Sequence, residues 1–159
     1  MMRWVIALVL LLGLAGCGSH ASDQRVSFYL QLVRGNDRDE PPTSDAKPVG
    51  PVLAERLQSV FKWKNYWELS RDAAVVKCGE KVCRSLSPER KVEIELLSTD
   101  TMKVRVYVKG HLSRCRTQPV RNAFYIAGGD KDSDESWFVV VRRDAPQPSE
   151  PQANAFRKL

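Results

Sequence analysis

The chain has 159 residues, with 25 Lys and Arg against 19 Asp and Glu, two His, four Cys and a net charge of +6. That length supports one hydrophobic core without help from metal or disulfide, so a single domain is expected. The positive excess is mild and spread along the chain, without the clustered Lys/Arg and interleaved aromatics of a nucleic-acid module, so no nucleic-acid partner is expected.

Met1, Met2, Arg3 and Trp4 make a short positive start, Val5 to Gly13 are almost wholly apolar, and Leu14-Ala15-Gly16-Cys17 ends the run with small residues before a cysteine. A bilayer-crossing helix needs about 20 apolar residues, so this stretch reads as a secretion signal. Its ending resembles the lipobox of bacterial lipoproteins. That resemblance implies removal of residues 1–16 and acylation of Cys17 with fatty acid such as palmitate. It also implies a cell-envelope location. In Gram-negative lipoproteins an aspartate after the acylated cysteine favours inner-membrane retention. The residue here is Gly18, which implies the outer membrane, facing the periplasm. Residues 17–25 then form a polar tether, too short to carry the domain far from the bilayer.

A single α+β domain is expected over 26–144. Val26, Phe28, Leu30 and Leu32 alternate with polar residues and predict a first strand over Val26–Arg34. Residues 35–50 hold Pro41, Pro42 and Pro48 among Asp, Asn, Ser and Thr, and read as a long, disordered loop. Pro51 suits the first position of a helix with Gly50 as its cap, and Leu53, Leu57, Val60 and Phe61 make one apolar stripe. The period changes at Phe61–Trp67, and a strand is expected over Tyr66–Val76. Trp63, Tyr66 and Trp67 admit two readings, a platform for a glycan or small ligand and a seal between helix and sheet. The second is preferred, because Trp and Tyr bury an apolar body while a polar edge reaches water.

Cys78-Gly79-Glu80-Lys81-Val82-Cys83 reads as a hairpin with a cysteine on each arm. Cross-strand partners lie at disulfide distance, so Cys78 with Cys83 is the expected bond, contributing about 2 kcal/mol by loop entropy and leaving Cys115 over. Zinc held by the three cysteines and His111 is the rival use; the paired short spacings of structural zinc sites are missing, and neither metal nor cofactor is expected. Lys91–Leu97 and Lys103–Lys109 are the clearest strands. Pairing Leu96 with Val104, Ile94 with Val106 and Val92 with Val108 sets Glu95 opposite Arg105 on a wet face, around a loop centred on Asp100, with the other face on the helix. Gly110 breaks the pattern, and 111–120 reads as a basic, irregular stretch that continues the strand after a bulge.

Phe124–Ala127 and Ser136–Val141 predict a last hairpin whose second arm is apolar at nearly every position, the mark of a strand covered on both sides. Residues 145–159 read as a solvated tail. Asp130, Asp132 and Asp134 have calcium-loop spacing, but Glu135 and Val141 stand where Gly and a bidentate Glu are needed. His111 is the only imidazole in the domain, and neither a nucleophile elbow nor a phosphate-cradling loop is present, so no enzyme is expected. The expectation is one amphipathic helix on a mostly antiparallel sheet of about six to seven strands. It would act as a binding or assembly module for an envelope protein partner. The alternative is a small-ligand or glycan sensor using Trp63, Tyr66 and Trp67.

Overall fold

The computed structural model describes residues 24–122, 124–132 and 134–147. The signal, Cys17, most of the tether and the end of the tail lie outside them. The described residues form nine strands and one α-helix: β1 (Arg25–Asn36), β2 (Lys47–Pro48), α1 (Pro51–Gln58), β3 (Asn65–Lys77), β4 (Lys81–Ser87), β5 (Arg90–Leu96), β6 (Thr101–Val108), β7 (His111–Pro119), β8 (Phe124–Asp132) and β9 (Glu135–Arg142). They make two antiparallel sheets, one of five strands in the order β2-β3-β1-β9-β8 and one of four in the order β4-β5-β6-β7. The expected single sheet of six to seven strands is therefore corrected to a two-sheet arrangement with a short helix outside it.

The alternation in β1 explains the layering. Val26, Phe28, Leu30 and Leu32 face the four-stranded sheet and meet Val92, Ile94, Leu96, Met102, Val104 and Val106 in one buried cluster. Side chains of opposite parity point the other way. Val33, with Phe138 and Val140 of β9, forms a second cluster under Leu53 and Leu57 of α1. β9 thus has an apolar residue on each face, as its sequence predicts, and Phe138 to Val141 are all essentially buried. Gly35 lets this roof close down, because a Cβ there would lie 2.6 Å from Trp63 Cδ1 and 2.9 Å from Phe138 Cε2.

Pro51 opens α1 with Gly50 as its cap. The helix ends one turn too early for the whole expected stripe to face inward. Phe61 still packs, its ring centroid 4.4 Å from that of Phe138, but Val60 is 68% exposed. In the expected unstructured loop, residues 37–39 bond to the start of β3 and Lys47–Pro48 pairs with that strand. Asp37 accepts the Lys64 backbone N–H at 2.9 Å, Asp39 pairs with the Lys64 ammonium at 2.6 Å, and Asn65 donates to Arg38 O at 2.7 Å. The Lys64 hydrogen bond and charge hold the Asp39 carboxyl below the ordinary carboxylate range.

β5 and β6 pair as a hairpin, but two residues off the expected register. Leu96 lies opposite Met102, Ile94 opposite Val104 and Val92 opposite Val106. A shift of two keeps every side chain on its face, so the alternation alone does not fix it. The shorter loop places fully buried Met102 in the core. Arg105 then stands opposite Glu93 and bridges to Glu95, at 2.5 and 2.9 Å. The apolar face of this hairpin packs on the other sheet and not on the helix.

Candidate functional site

The predicted disulfide rested on a hairpin that does not form. Gly79 takes a positive φ of 83°, its N–H donates to Leu96 O at 2.7 Å, and Glu80 O accepts from Leu96 N–H at 3.1 Å. These bonds peel the chain off β3 and hand it to β5, so β3 and β4 belong to different sheets. Cys78 packs half-buried on the core, whereas Cys83 stands exposed on the wet face opposite Glu93. Cys78, Cys83 and Cys115 are all free thiols. The outer face of the four-stranded sheet carries the lateral row Cys83, Glu93, Arg105, Cys115, one residue per strand. Three interstrand spacings of about 4.8 Å separate its two thiols, too far for a bond between them.

The aromatic residues have gone into packing. Tyr66 is 4% exposed in the cluster under α1, and its hydroxyl donates to Phe61 O at 3.0 Å. Burial pushes that hydroxyl above its ordinary pKa. Trp67 is buried and its indole N–H donates to Asn36 Oδ1 at 3.2 Å. Trp63 packs half-buried on the same cluster. The adjoining cleft, between Gln58 and Lys64, holds about 150 Å³, below the roughly 300–1,000 Å³ of ordinary ligand pockets. His111 is exposed at the start of β7 and bonds to no other described side chain. The side chains of Asp130 and Asp132 lie outside the described residues. Among those described, no three His, Cys, Asp or Glu side chains gather as a metal site.

β7 is different in kind. Lys109 and Gly110 both take positive φ, 51° and 83°, which is the two-residue turn that returns a chain antiparallel to itself. The expected continuation past Gly110 is therefore a return strand, with a bulge at Ser113. β7 bonds to β6 on one side, and among the described residues no strand pairs with its other edge. Of its nine residues only Ser113 and Gln118 are even partly buried. Comparison with family models, with curated proteins and with solved structures gives no match.

The charge of this region is one-sided. From Thr101 to Gly129 the chain has six Lys and Arg and no Asp or Glu, so the positive excess is less evenly spread than composition suggests. Arg105 finds Glu93 and Glu95, Lys109 lies 4.0 Å from Glu89, and Lys103 sits opposite Glu95. Arg114, Arg116 and Arg121 pair with no described carboxylate. Arg114 and Arg116 stand opposite Val106 and Val104, on the core-side face of β7. Both are nevertheless exposed. On the neighbouring edge strand β8, burial pushes the Tyr125 hydroxyl above its ordinary pKa, and the charges of Arg114 and Arg116 pull it partway back. The sequence signal that identifies this site is the acid-free run. It becomes a site only once β7 is placed at an edge. With one backbone edge unpaired among the described residues and two cations two positions apart, the arrangement offers main-chain hydrogen bonds and positive charge side by side.

Proposed function

We propose that the protein is a lipid-anchored envelope module that binds or assembles another envelope protein, and that β7 is the strand it offers. The observation that carries this reading is the nine-residue edge strand, exposed at all but Ser113 and Gln118 and, among the described residues, bonded on one side only. An open edge recruits an extended segment through main-chain hydrogen bonds, with alternate side chains adding selectivity. The anchor rests on the lipobox-like Leu14-Ala15-Gly16-Cys17, and the outer membrane on Gly18. No helix among the described residues is long and apolar enough to cross a membrane. The glycan-sensor alternative loses support from the burial of Tyr66 and Trp67.

Two measurements test the two halves. Cells grown with labelled fatty acid should label the protein on Cys17, and Cys17→Ser should abolish label and release the protein from the membrane fraction. An unlabelled wild-type protein would remove the anchor. Of the neighbours Arg116 and Thr117, one backbone N–H points to β6 and the other outward. Proline at the outward one should abolish capture of a protein that wild type captures in cells, with the melting transition retained. Equal capture by both would remove the edge.

A further inference from the structure

We infer that the segment received by β7 is extended and acidic, with carboxylates two residues apart; this deepens the proposed edge reading and rests on it. Arg114 and Arg116 are two positions apart in one strand, so they share a face and stand roughly 6.8 Å from each other. A strand added in either direction presents its own i and i+2 residues to them on that face. No described carboxylate neutralises either guanidinium. On the opposite face the incoming strand meets Cys115 and Thr117, beyond which Arg105 is already occupied by Glu93 and Glu95. The chemical demand therefore falls on one face, at one spacing.

Inward-leaning charges on an edge strand ordinarily protect it from unwanted pairing. The protection depends on sign. A second copy of β7, laid antiparallel about Cys115, sets Arg114 against Arg116 twice, and like charges directly opposite one another destabilise the pair. The same two arginines favour a strand that brings Glu or Asp to those positions. The main chain of β7 supplies affinity, and the arginine pair works against a second copy of itself and against basic strands.

The test uses the full-length protein in detergent and synthetic nine-residue peptides, the length of β7. One peptide alternates Glu with Thr, one has the same composition with its Glu residues adjacent, and one alternates Lys with Thr; fluorescence anisotropy reports binding. The alternating Glu peptide should bind tightest, and its affinity should fall as salt is raised. Replacing both arginines by Ala should weaken it about tenfold, the sum of two exposed charge pairs. Arg114→Glu with Arg116→Glu should transfer the preference to the Lys peptide.

Equal binding of the two Glu peptides, or no transfer of preference, overturns the acidic partner while leaving the edge reading to its proline test. Binding that survives the outward-facing proline but follows the arginines shows charge acting without strand addition, which also overturns the inference. Displacement of the peptide by anionic-lipid vesicles, or a β7-dependent dimer in sedimentation, assigns the edge to a different occupant and has the same effect.

Discussion

The two sheets share one core, yet they are built for opposite surroundings. At its centre the five-stranded sheet is covered on both faces, by the other sheet through Trp137, Val139 and Val141 and by α1 through Phe138 and Val140, while the outer face of β3 at Arg71, Ala73 and Val75 stays exposed. Among the described residues the four-stranded sheet is covered on one face only; its other face is a grid of Lys, Glu, Arg, Cys and Thr that ends at the unpaired edge of β7. Burial on both faces at β1 and β9 yields stability, while burial on one face leaves backbone and charge at β7 accessible. Substitutions in the first sheet should therefore cost stability, and those at the far edge of the second should cost binding.

Phe138→Ala should break the contrast hardest. Phe138 is 1% exposed and carries the rings of Phe61 and Tyr66 at 4.4 and 6.0 Å. Loss of a buried phenyl with incomplete collapse costs about 3–5 kcal/mol. Denaturant unfolding should show it as an early midpoint, and a loss below about 1 kcal/mol would mean that the helix side contributes little. Gly35→Ala acts on the same roof from below. The added Cβ meets two rings at under 3 Å, so about 1–3 kcal/mol is expected from overpacking. By contrast, no atom lies within 4 Å of a Cβ at Gly110, where the penalty is that of the positive φ alone.

Arg142 is a buried charged residue on the same strand as Phe138. It is 3% exposed on β9 and pairs with Asp144 just beyond the strand. For Asp144, burial raises the carboxyl pKa, but the Arg142 hydrogen bond and charge outweigh it and the net shift is downward. A carboxylate whose folded pKa lies below its unfolded value stabilises the fold above the ordinary carboxylate range. That contribution disappears as pH falls through the folded value. Asp144 is half-exposed, so solvent screens the pair and the effect should stay below about 1 kcal/mol. Asp144→Asn should remove this part of the acid dependence in melts taken from neutral pH downward; an unchanged profile would show that the pair carries none of it.

Much of this contrast was legible in the sequence, and the part that was not has a physical reason. Alternation in Val26 to Leu32, Lys91 to Leu96 and Lys103 to Val108 marks the strands, Pro51 marks the helix, and the apolar run in β9 marks double burial. Period two says which side chains share a face. It does not say what covers that face, so one sheet under a helix and two sheets face to face read alike. The same blindness hides a register shift of two, as at Leu96 and Met102. The crossover at Gly79 depends on bonds to Leu96, seventeen positions on, which no local pattern encodes. The return at Lys109-Gly110 uses a lysine at positive φ, where Asn or Gly would have announced the turn. For the site, the acid-free run was plain in the letters, but a run of cations is ordinary surface until topology puts part of it on an open edge.

The smallest expected effect gives the sharpest test of where that edge points. Tyr125 is 6% exposed on β8, and burial is the larger influence on its hydroxyl, raising the pKa; Arg114 and Arg116 act in the opposite direction because a nearby positive charge favours the phenolate. Arg114→Ala with Arg116→Ala should leave the unfolding midpoint where it was, since exposed substitutions away from packed groups change stability little. The Tyr125 pKa should nevertheless rise further, because burial and the neighbouring Cys115, both of which raise it, then act unopposed. Spectrophotometric titration of the four tyrosines, with Tyr125→Phe to assign the late-titrating signal, separates these outcomes. An unmoved or lowered Tyr125 pKa would mean that the two guanidinium groups do not lean toward β8 but elsewhere, and a strand added to β7 would then no longer find both cations on the face that reads its carboxylates.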